Sequence, residues 1–260
     1  MMTIKTLYFS PTGTTKIIVD TIARTLGAVE KNYNITLPKQ RGVMPSFNED
    51  DILIVGLPVY AGRIPQLITE QITAIKGNQT PVIMVGVYGN RDYDDALLEM
   101  KNTFQKNGFV PLAAGAFIGE HSYTSEVGTK RPDSRDLKIC KQFGETIKTL
   151  LKSDTYKTKE LYVKGNFPYR ELKPSLPLGP IVDETCLNCG ICAINCPTGA
   201  LKHNGHIKVI DELCIRCHAC VRKCPIHAVD FDERLDPVKK WLIDNSSKRR
   251  EPELFYLKDK

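Results

Sequence analysis

The sequence predicts an α/β fold, with a doubly wound, five-stranded parallel sheet followed by a small α+β domain. Two observations support this prediction. Apolar, strand-like segments alternate with helix-like segments over roughly the first 150 residues, which is typical of a parallel sheet covered on both faces. Eight of the nine cysteines then fall into two similar motifs closer to the C-terminus.

The strands and helices follow from hydrophobic patterning. Two of the strands, 51–57 (DILIVGL) and 81–88 (PVIMVGVY), are continuously apolar, as expected for strands buried on both faces. Apolar residues at helical spacing predict the helices between the strands. The five expected strands are 4–9, 34–37, 51–57, 81–88 and 109–118, and the expected helices are 12–26, 65–75, 93–107 and 133–151.

Composition changes along the chain predict four parts. Residues 1–151 form the sheet domain, 152–180 a linker whose aromatic residues pack on a neighbour, 181–232 the cysteine domain and 233–260 a C-terminal extension. A short helix is expected at 237–243 in this extension. Its basic cluster (Lys248, Arg249 and Arg250) is expected to be a solvated tail, with a docking patch for an acidic protein as the alternative.

The length, composition and net charge of the chain exclude several functional classes. The chain has 260 residues, 42% of them hydrophobic and 25% charged, as in ordinary globular proteins. The net charge of +6 is spread without a basic stripe or a nucleic-acid-binding module, so nucleic acid is not expected as a partner. No apolar stretch approaches the roughly 20 residues of a membrane span, and no signal peptide is evident. The expected location is cytoplasmic.

The two cysteine motifs, CLNCGICAINCP and CIRCHACVRKCP, share the spacing C-x2-C-x2-C-x3-C-P. At this spacing three thiolates bind one iron–sulfur cluster, and the fourth, before the proline, binds the other cluster. The sequence therefore predicts two [4Fe–4S] clusters. The first cysteine set consists of Cys186, Cys189, Cys192 and Cys224. The second cysteine set consists of Cys214, Cys217, Cys220 and Cys196.

Other uses of these cysteines fit less well. Disulfides suit secreted chains, and zinc ribbons use paired C-x2-C motifs rather than four cysteines in each of two short runs. Residues 181–232 resemble the bacterial two-cluster ferredoxins. The ninth cysteine, Cys140, lies in the predicted helix 133–151 and is expected to be a buried structural thiol.

The first strand ends in a loop rich in hydroxyl groups, YFSPTGTTK. The loop lacks the glycine and lysine pattern of nucleotide-binding loops. Hydroxyls and amides at a helix N-terminus can instead bind a terminal monophosphate. The alternative is an ordinary capped helix start, where Ser and Thr are favoured anyway. The candidate phosphate-binding residues are Ser10, Thr12, Gly13, Thr14 and Thr15.

Two further loops, GLPVYAGRIP (56–65) and YGNRDYDDA (88–96), each follow a buried strand at the sheet edge where open α/β folds bind ligands. Together with YFSPTGTTK they resemble the three FMN-binding loops of the flavodoxins. This resemblance implies a flavodoxin-like fold, with Tyr60 and Tyr93 against the flavin ring. It also implies that Asp92, Asp94 and Asp95 place negative charge near the ring. The other implied FMN contacts are Pro58, Val59, Ala61, Gly62, Tyr88, Gly89 and Asn90.

The last strand leads into GEHSYTSEVGTKRPD (119–133), which is expected at the same edge of the sheet. His121 is the candidate general acid there, because histidine titrates near neutral pH. A structural hydrogen bond is the alternative role for this side chain.

The whole chain resembles the flavodoxin–ferredoxin fusion proteins (flavoferredoxins) of anaerobes. The resemblance implies electron transfer between two [4Fe–4S] clusters and FMN, which would couple one-electron and two-electron redox partners. Two alternatives stay open: an FMN-dependent reductase of a small substrate, and a flavin-free docking module of a larger redox complex. Expected partners are redox proteins, with a small substrate and a homodimer both left open. Oxygen-sensitive clusters imply an anaerobic cytoplasm.

Overall fold

A computed structural model describes residues 2–152, 156, 158–172 and 177–258 of the chain. The elements of the N-terminal part are β1 (Thr3–Tyr8), α1 (Thr14–Leu26), β2 (Val29–Asn34), β3 (Ser46–Phe47), β4 (Asp51–Pro58), α2 (Thr69–Ala74), β5 (Lys76–Gly77), β6 (Thr80–Tyr88), α3 (Ala96–Lys106), β7 (Phe109–Ile118) and α4 (Ser134–Leu151). The remaining elements are β8 (Glu160–Leu161), β9 (Ile181–Val182), α5 (Ile191–Ile194), β10 (Leu201–His203), β11 (Ile207–Val209), α6 (Ala219–Lys223), β12 (Val229–Asp230), α7 (Asp236–Ser246) and β13 (Glu253–Lys258).

The central sheet has the strand order β2-β1-β4-β6-β7-β13-β8. The five predicted parallel strands are present as β2, β1, β4, β6 and β7. Helices α1 and α4 cover one face of the sheet, where Ile22 and Phe143 are fully buried. Helices α2 and α3 cover the other face with residues such as Ile72 and Phe104. The apolar runs of β4 and β6 are therefore explained by burial on both faces.

Two predicted elements were misplaced. The second strand lies at Val29–Asn34 instead of 34–37, because it is an edge strand (VEKNYN) whose residues are mostly polar and partly exposed. The helix predicted at 65–75 begins as a 3₁₀ turn, Gln66–Ile68, and becomes α-helical only over Thr69–Ala74.

The C-terminal extension returns to the central sheet. Strand β13 pairs antiparallel with β7, with Glu253 opposite Ala116 and Tyr256 opposite Ala113. The other edge of β13 pairs antiparallel with β8 from the linker, with Leu257 opposite Leu161. The sheet thus has seven strands rather than the expected five, and the chain visits it both before and after the cysteine domain.

The prediction of a solvated basic tail is wrong, because Arg249 and Arg250 are held by the N-terminal domain. Arg249 Nη1 lies 2.7 Å from Asp133 Oδ2, and this guanidinium holds the pKa of Asp133 well below its usual range. Arg250 Nη1 donates to the carbonyl oxygen of Arg91 at 2.7 Å and lies 3.4 Å from Asp92 Oδ2. Lys248 and Arg249 keep exposed side chains, and Arg250 is half-buried.

Beneath this segment lies a buried ion pair. Arg131 Nε donates to Asp136 Oδ2 at 2.8 Å, a second guanidinium nitrogen contacts the other carboxylate oxygen, and both side chains are almost fully buried. Arg131 Nη1 also donates to the carbonyl oxygen of Arg250 at 2.6 Å. The pair therefore joins the start of α4 to the returning C-terminal segment.

The described part of the linker packs on the N-terminal domain, as its aromatic residues predicted. The backbone N–H groups of Asn166 and Arg170 each donate to a different oxygen of Asp95 at 2.7 Å. The ring of Tyr169 lies 4.7 Å from the guanidinium carbon of Arg63. These contacts place the linker along α3 and hold the chain close to the sheet before it enters the cysteine domain.

The cysteine domain contains only small elements. Strand β9 pairs with β12, β10 pairs with β11, and the short helices α5 and α6 each lie within a cysteine motif. Cys140 lies outside this domain, in α4, and is fully buried. Burial raises the pKa of its thiol to about 12, so the prediction of an unreactive structural cysteine is supported. Within the described residues, no helix is long and apolar enough to cross a membrane.

Breaking the buried Arg131–Asp136 pair should destabilise the protein. Replacing Arg131→Met leaves the Asp136 carboxylate buried without its partner, which is expected to lower the free energy of unfolding by about 3–5 kcal/mol. Urea denaturation of the full chain measures this. Arg234→Met, which removes an exposed guanidinium paired with Asp232, is the matched control and should change stability little. Equal losses in the two variants would contradict a special role for the buried pair.

Candidate functional site

A cavity of about 350 Å³ opens at the carboxyl edge of the sheet, within the size range of small-ligand sites. The loops after β1, β4, β6 and β7 form one side of it. The second cysteine motif and α7 form the other side, so both domains build the site. The residues contributed by the second cysteine motif and α7 are Ile215, Arg216, Cys217, Val238, Trp241 and Leu242.

The loop after β1 forms a polar end of this cavity. Pro11, Thr12, Thr14 and Thr15 line it, and the Thr12 and Thr14 hydroxyl oxygens lie 3.4 Å apart. Gly13 adopts φ 89° just before α1 begins, a conformation that glycine tolerates without strain. The hydroxyls and the free N-terminal amides of α1 thus provide a cradle suited to a phosphate dianion.

Ser10 has a different position from its predicted one. Its hydroxyl oxygen accepts a hydrogen bond from the backbone N–H of Lys16 at 3.0 Å, and its backbone N–H donates to the Thr36 hydroxyl at 2.9 Å. Neither Ser10 nor Gly13 lines the cavity, although their neighbours do. Ser10 therefore stabilises the start of α1, which was the alternative interpretation of this loop.

The loop after β4 is a tight turn that presents Tyr60. The backbone of Tyr60 and Arg63 exchanges two hydrogen bonds of 3.0 and 3.1 Å around Ala61 and Gly62, which have φ angles of 51° and 83°. Positive φ at both central residues is typical of a type I′ turn. A side chain at Gly62 would overlap Asp94, so the turn needs glycine there.

Tyr60 lies at the boundary between the two domains. Its pKa is raised well above the ordinary value, first by burial and then by the nearby Cys217 and Tyr123. Tyr60, Tyr123 and Cys217 all line the cavity. Aromatic side chains from the sheet domain thus lie beside a thiol of the second cysteine set.

The loop after β6 contributes less than predicted. Tyr88 and Gly89 line the cavity, but Asn90 and Tyr93 do not. Asn90 is buried, and its Nδ2 donates to the carbonyl oxygens of Ser246 at 2.5 Å and Lys248 at 2.9 Å. Tyr93 is fully buried in the core, and its hydroxyl donates to Glu253 Oε2 at 2.7 Å. Both side chains therefore bind the returning C-terminal segment and are turned away from the site expected for the flavin ring.

The cavity wall also contains a tryptophan that was not predicted as a site residue. Trp241 of α7 lines the cavity, and its side chain is 52% exposed. Val238 and Leu242 lie on the same side of the helix and also line the cavity. The i, i+3, i+4 spacing of these three apolar residues is the signal that could have identified a packing face on this helix.

His121 lies in the cavity wall, where its ring packs against Gly89 so closely that a side chain at Gly89 would overlap it. Burial, followed by the charges of Arg222 and Arg91, lowers the pKa of His121 to about 4. Its Nδ1 accepts a hydrogen bond from the backbone N–H of Tyr123 at 3.1 Å. The imidazole is therefore neutral near pH 7, and its remaining N–H is too weak an acid for the predicted general-acid role, which supports the structural alternative.

The acidic residues near the cavity are largely neutralised. Asp94 lies 2.5 Å from an Arg91 nitrogen and 2.6 Å from an Arg170 nitrogen, and Asp95 accepts hydrogen bonds from the linker. Of the three aspartates expected beside the flavin, only Asp92 lines the cavity. Asp94 and Asp95 therefore add less negative charge at the cavity than predicted, whereas Asp92 lies in its wall.

Two arginines bind across the boundary between the two domains. Arg222 Nη2, from the cysteine domain, lies 3.1 Å from Glu120 Oε1 and donates to the carbonyl oxygen of His121 at 2.9 Å. Arg41 Nη2, from the sheet domain, donates to the carbonyl oxygen of Pro197 at 2.6 Å. The Arg222 bonds hold the second cysteine motif, and the Arg41 bond holds the end of the first motif, against the sheet domain.

A row of rings crosses the same boundary. The Tyr123 ring lies 5.3 Å from the His121 ring and 4.9 Å from the His218 ring, and His218 stacks on Phe231 at 4.4 Å. His218 has φ 56° at a position where the first motif has Gly190. A histidine with this strained backbone is held by its ring contacts, which join the second motif to the loop after β7.

The cysteines group as their spacing predicted. All four members of the first set line one small apolar cavity of about 50 Å³. In the second set, Cys196 lies close enough to Cys214, Cys217 and Cys220 to raise the pKa of each thiol, after the larger effect of burial. The fourth cysteine of each motif thus joins the other motif's three, an arrangement that fits a pair of four-iron clusters.

Backbone N–H groups donate to several of the thiols. Among the described residues, no three His, Cys, Asp or Glu side chains meet closely enough to hold a single metal ion. Backbone N–H groups reach the sulfurs: Asn188 to Cys186 at 3.4 Å, Arg216 to Cys214 at 3.4 Å and Ala228 to Cys224 at 3.2 Å. Hydrogen bonds of this kind set the reduction potential of iron–sulfur clusters.

Family models match both halves of the chain. A flavodoxin domain matches residues 6–126, and a 4Fe-4S dicluster domain matches residues 180–225. A flavodoxin domain implies FMN, and the dicluster domain implies iron–sulfur clusters. No curated protein matches the chain.

Several solved flavodoxins are similar to the N-terminal part. One from the domain Archaea is 15% identical, with a TM-score of 0.42, and the match covers 58% of this chain and 100% of that one. The Streptococcus pneumoniae TIGR4 flavodoxin is 16% identical, with a TM-score of 0.38 and coverage of 56% and 97%. A Fusobacterium nucleatum flavodoxin bound to flavin mononucleotide is 18% identical, with a TM-score of 0.38 and coverage of 58% and 98%.

One conclusion follows from the strand order, the three loops, the grouped cysteines and the two family matches. The chain has a flavodoxin-like fold with a small ferredoxin-type domain, and it is an electron-transfer protein of the flavin and iron–sulfur kind. It joins a flavodoxin domain to a 4Fe-4S dicluster domain in one polypeptide, as flavodoxin–ferredoxin fusion proteins do.

Proposed function

We propose that the chain binds FMN in the interdomain cavity and two [4Fe–4S] clusters in the cysteine sets, and that it passes electrons between them. One observation carries this proposal. Cys217 of the second set lines the same cavity as the hydroxyl loop after β1 and Tyr60 of the loop after β4. A cluster on Cys217 would therefore border the flavin directly.

The two cysteine sets differ in position, which suggests a route. The second set faces the cavity, whereas the first set lies near the surface, where Cys189 is exposed. Leu187 and Ile226 also line the small cavity of the first set, with side chains 71% and 39% exposed. We infer that a redox protein exchanges single electrons at the first set, and that the second set connects it to FMN.

The side chains around the cavity would hold and shield the flavin. Thr12, Thr14 and the amides of α1 would bind its phosphate, and Tyr60 and Trp241 would contact its ring. FMN would supply the ability to hold one or two electrons, whereas each cluster moves one. The protein would thus exchange electrons singly or in pairs with its partners.

Electron transfer fits the cavity better than direct reduction of a small substrate. Ile215, Arg216 and Trp241 cover the side of the cavity that faces the sheet edge, where a substrate would need to approach the ring. His121 is neutral near pH 7 and accepts a hydrogen bond from its own loop. Neither feature supports proton delivery to a substrate.

Cofactor content after anaerobic purification tests the proposal first. We expect about one FMN and eight irons per chain, with equal sulfide, because two four-iron clusters share the eight cysteines. Flavin is identified by chromatography after acid release, and iron and sulfide are measured chemically. Eight irons without flavin, even after FMN is added, would favour the docking-module alternative.

The position of Trp241 allows a direct test of FMN binding, because it is the only tryptophan of the chain. Binding of FMN should quench its fluorescence. Trp241→Ala should weaken FMN binding about tenfold, since an aromatic contact of this kind contributes roughly 1.4 kcal/mol. Trp241→Phe, which keeps an aromatic ring, should retain most of the affinity. Unquenched fluorescence in FMN-saturated protein would show that Trp241 does not contact the flavin.

The route is tested by removing a ligand of the first set. Cys189→Ala should remove the first cluster and slow the reduction of FMN by a protein electron donor by more than tenfold, whereas chemical reduction by dithionite still reduces FMN. Stopped-flow absorbance at flavin wavelengths measures both rates. Cys140→Ala, which removes the buried ninth cysteine, is the matched control and should leave both rates unchanged. Undiminished reduction of Cys189→Ala by the protein donor would exclude the first set as the entry point.

A further inference from the structure

The charged residues around the interdomain cavity leave one guanidinium without a partner. Four charged side chains line the cavity. Arg91 is paired with Asp94, Asp92 lies near Lys164 and Arg250, and Glu120 is paired with Arg222. Among the described residues, the fourth, Arg216, has no carboxylate within ion-pair distance. It is half-buried in the wall between the flavin site and the second cysteine set.

We propose that Arg216 is the electrostatic link between the two cofactors: its charge stabilises the negative charge that FMN gains on reduction, and so raises the flavin's reduction potential. The proposal rests on the binding of FMN in this cavity. Arg216 would act only through its positive charge and would take no part in bond breaking or proton transfer, because its guanidinium stays protonated throughout.

The surroundings of Arg216 locate its charge at the domain boundary. Burial raises the pKa of Tyr123, and the nearby Arg216 opposes this shift. The backbone N–H of Arg216 donates to Cys214 Sγ at 3.4 Å, and Arg216 lines the cavity together with Cys217. Arg216 thus lies beside a residue of the flavodoxin domain and beside two cysteines of its own motif.

The internal repeat shows that this position does not require an arginine. The first motif, CLNC, has Asn188 where the second motif, CIRC, has Arg216. Both residues adopt a left-handed backbone, with φ angles of 50° and 52°, and both N–H groups donate to the preceding cysteine sulfur at 3.4 Å. Asparagine tolerates this conformation better than arginine does. The strained, charged residue therefore occurs only in the motif that faces the cavity.

The expected size of the effect follows from Coulomb's law. A unit charge about 10 Å from the flavin, at an effective dielectric constant of roughly 20, changes the equilibrium between oxidised and reduced states by about tenfold. The same charge lies beside the second cysteine set. It would therefore also reduce the repulsion between an electron on that cluster and one on the flavin.

The test replaces Arg216→Asn in the full chain, a change that copies the first motif and keeps the backbone geometry. We expect the variant to bind oxidised FMN as the original chain does and reduced FMN about tenfold more weakly, which equals a 59 mV fall in a one-electron flavin potential. Anaerobic potentiometric titration followed at flavin wavelengths measures the potential, and flavin release before and after reduction measures the two affinities.

Two further variants separate charge from structure. Arg216→Lys keeps the positive charge and should keep the flavin potential near its original value. Arg234→Asn removes a guanidinium that is paired with Asp232 and does not line the cavity, and it should change neither affinity. Iron counts confirm that all variants keep their clusters. Equal flavin potentials in Arg216→Asn and the original chain, with FMN bound in both, would overturn the proposal, whereas loss of FMN binding from every variant would overturn the proposed function instead.

Discussion

The antiparallel pairing of β13 with β7 is the constraint on which the rest of the molecule depends. It brings the C-terminal segment back to the flavodoxin sheet after the cysteine domain has been completed. Asn90, Tyr93 and the buried Arg131–Asp136 pair all contact this segment. Because α7 directly precedes it, the same pairing places Trp241 at the cavity. A strand that lies outside both domains matched by the family models therefore helps to shape the interdomain cavity.

The two domains also meet through fixed polar contacts. Arg222 and Arg41 each bind backbone carbonyl oxygens of the opposite domain, and a row of rings runs from His121 to Phe231. Electron transfer between separate carriers requires an encounter in each cycle. In the proposed arrangement the second cysteine set stays beside the flavin, so only the exchange with an outside partner requires an encounter. The exposed first set, with its apolar rim, is suited to that exchange.

Residue patterns predicted those parts of the molecule that depend on local sequence. The long apolar runs of β4 and β6 need burial on both faces, and the cysteine spacing specifies a cluster fold whatever its surroundings. Strand β13 was not predicted, because a short strand such as ELFYLK can pair with any free sheet edge. Asn90 and Tyr93 were assigned to the flavin because their loop is at the correct edge. Their actual partners lie in residues 246–253, and nothing in the local sequence indicates so distant a contact.

Strands β8 and β13 pair with each other at the sheet edge, and β8 precedes the cysteine domain whereas β13 follows it. The cysteine domain is thus an insertion whose entry and exit are held side by side, rather than a module attached at one end. A single proteolytic cut inside the domain would leave both fragments hydrogen-bonded to the same sheet. Covalent continuity of the backbone is therefore not what keeps the cysteine domain next to the cavity, and the two domains can be expected to unfold together rather than to separate.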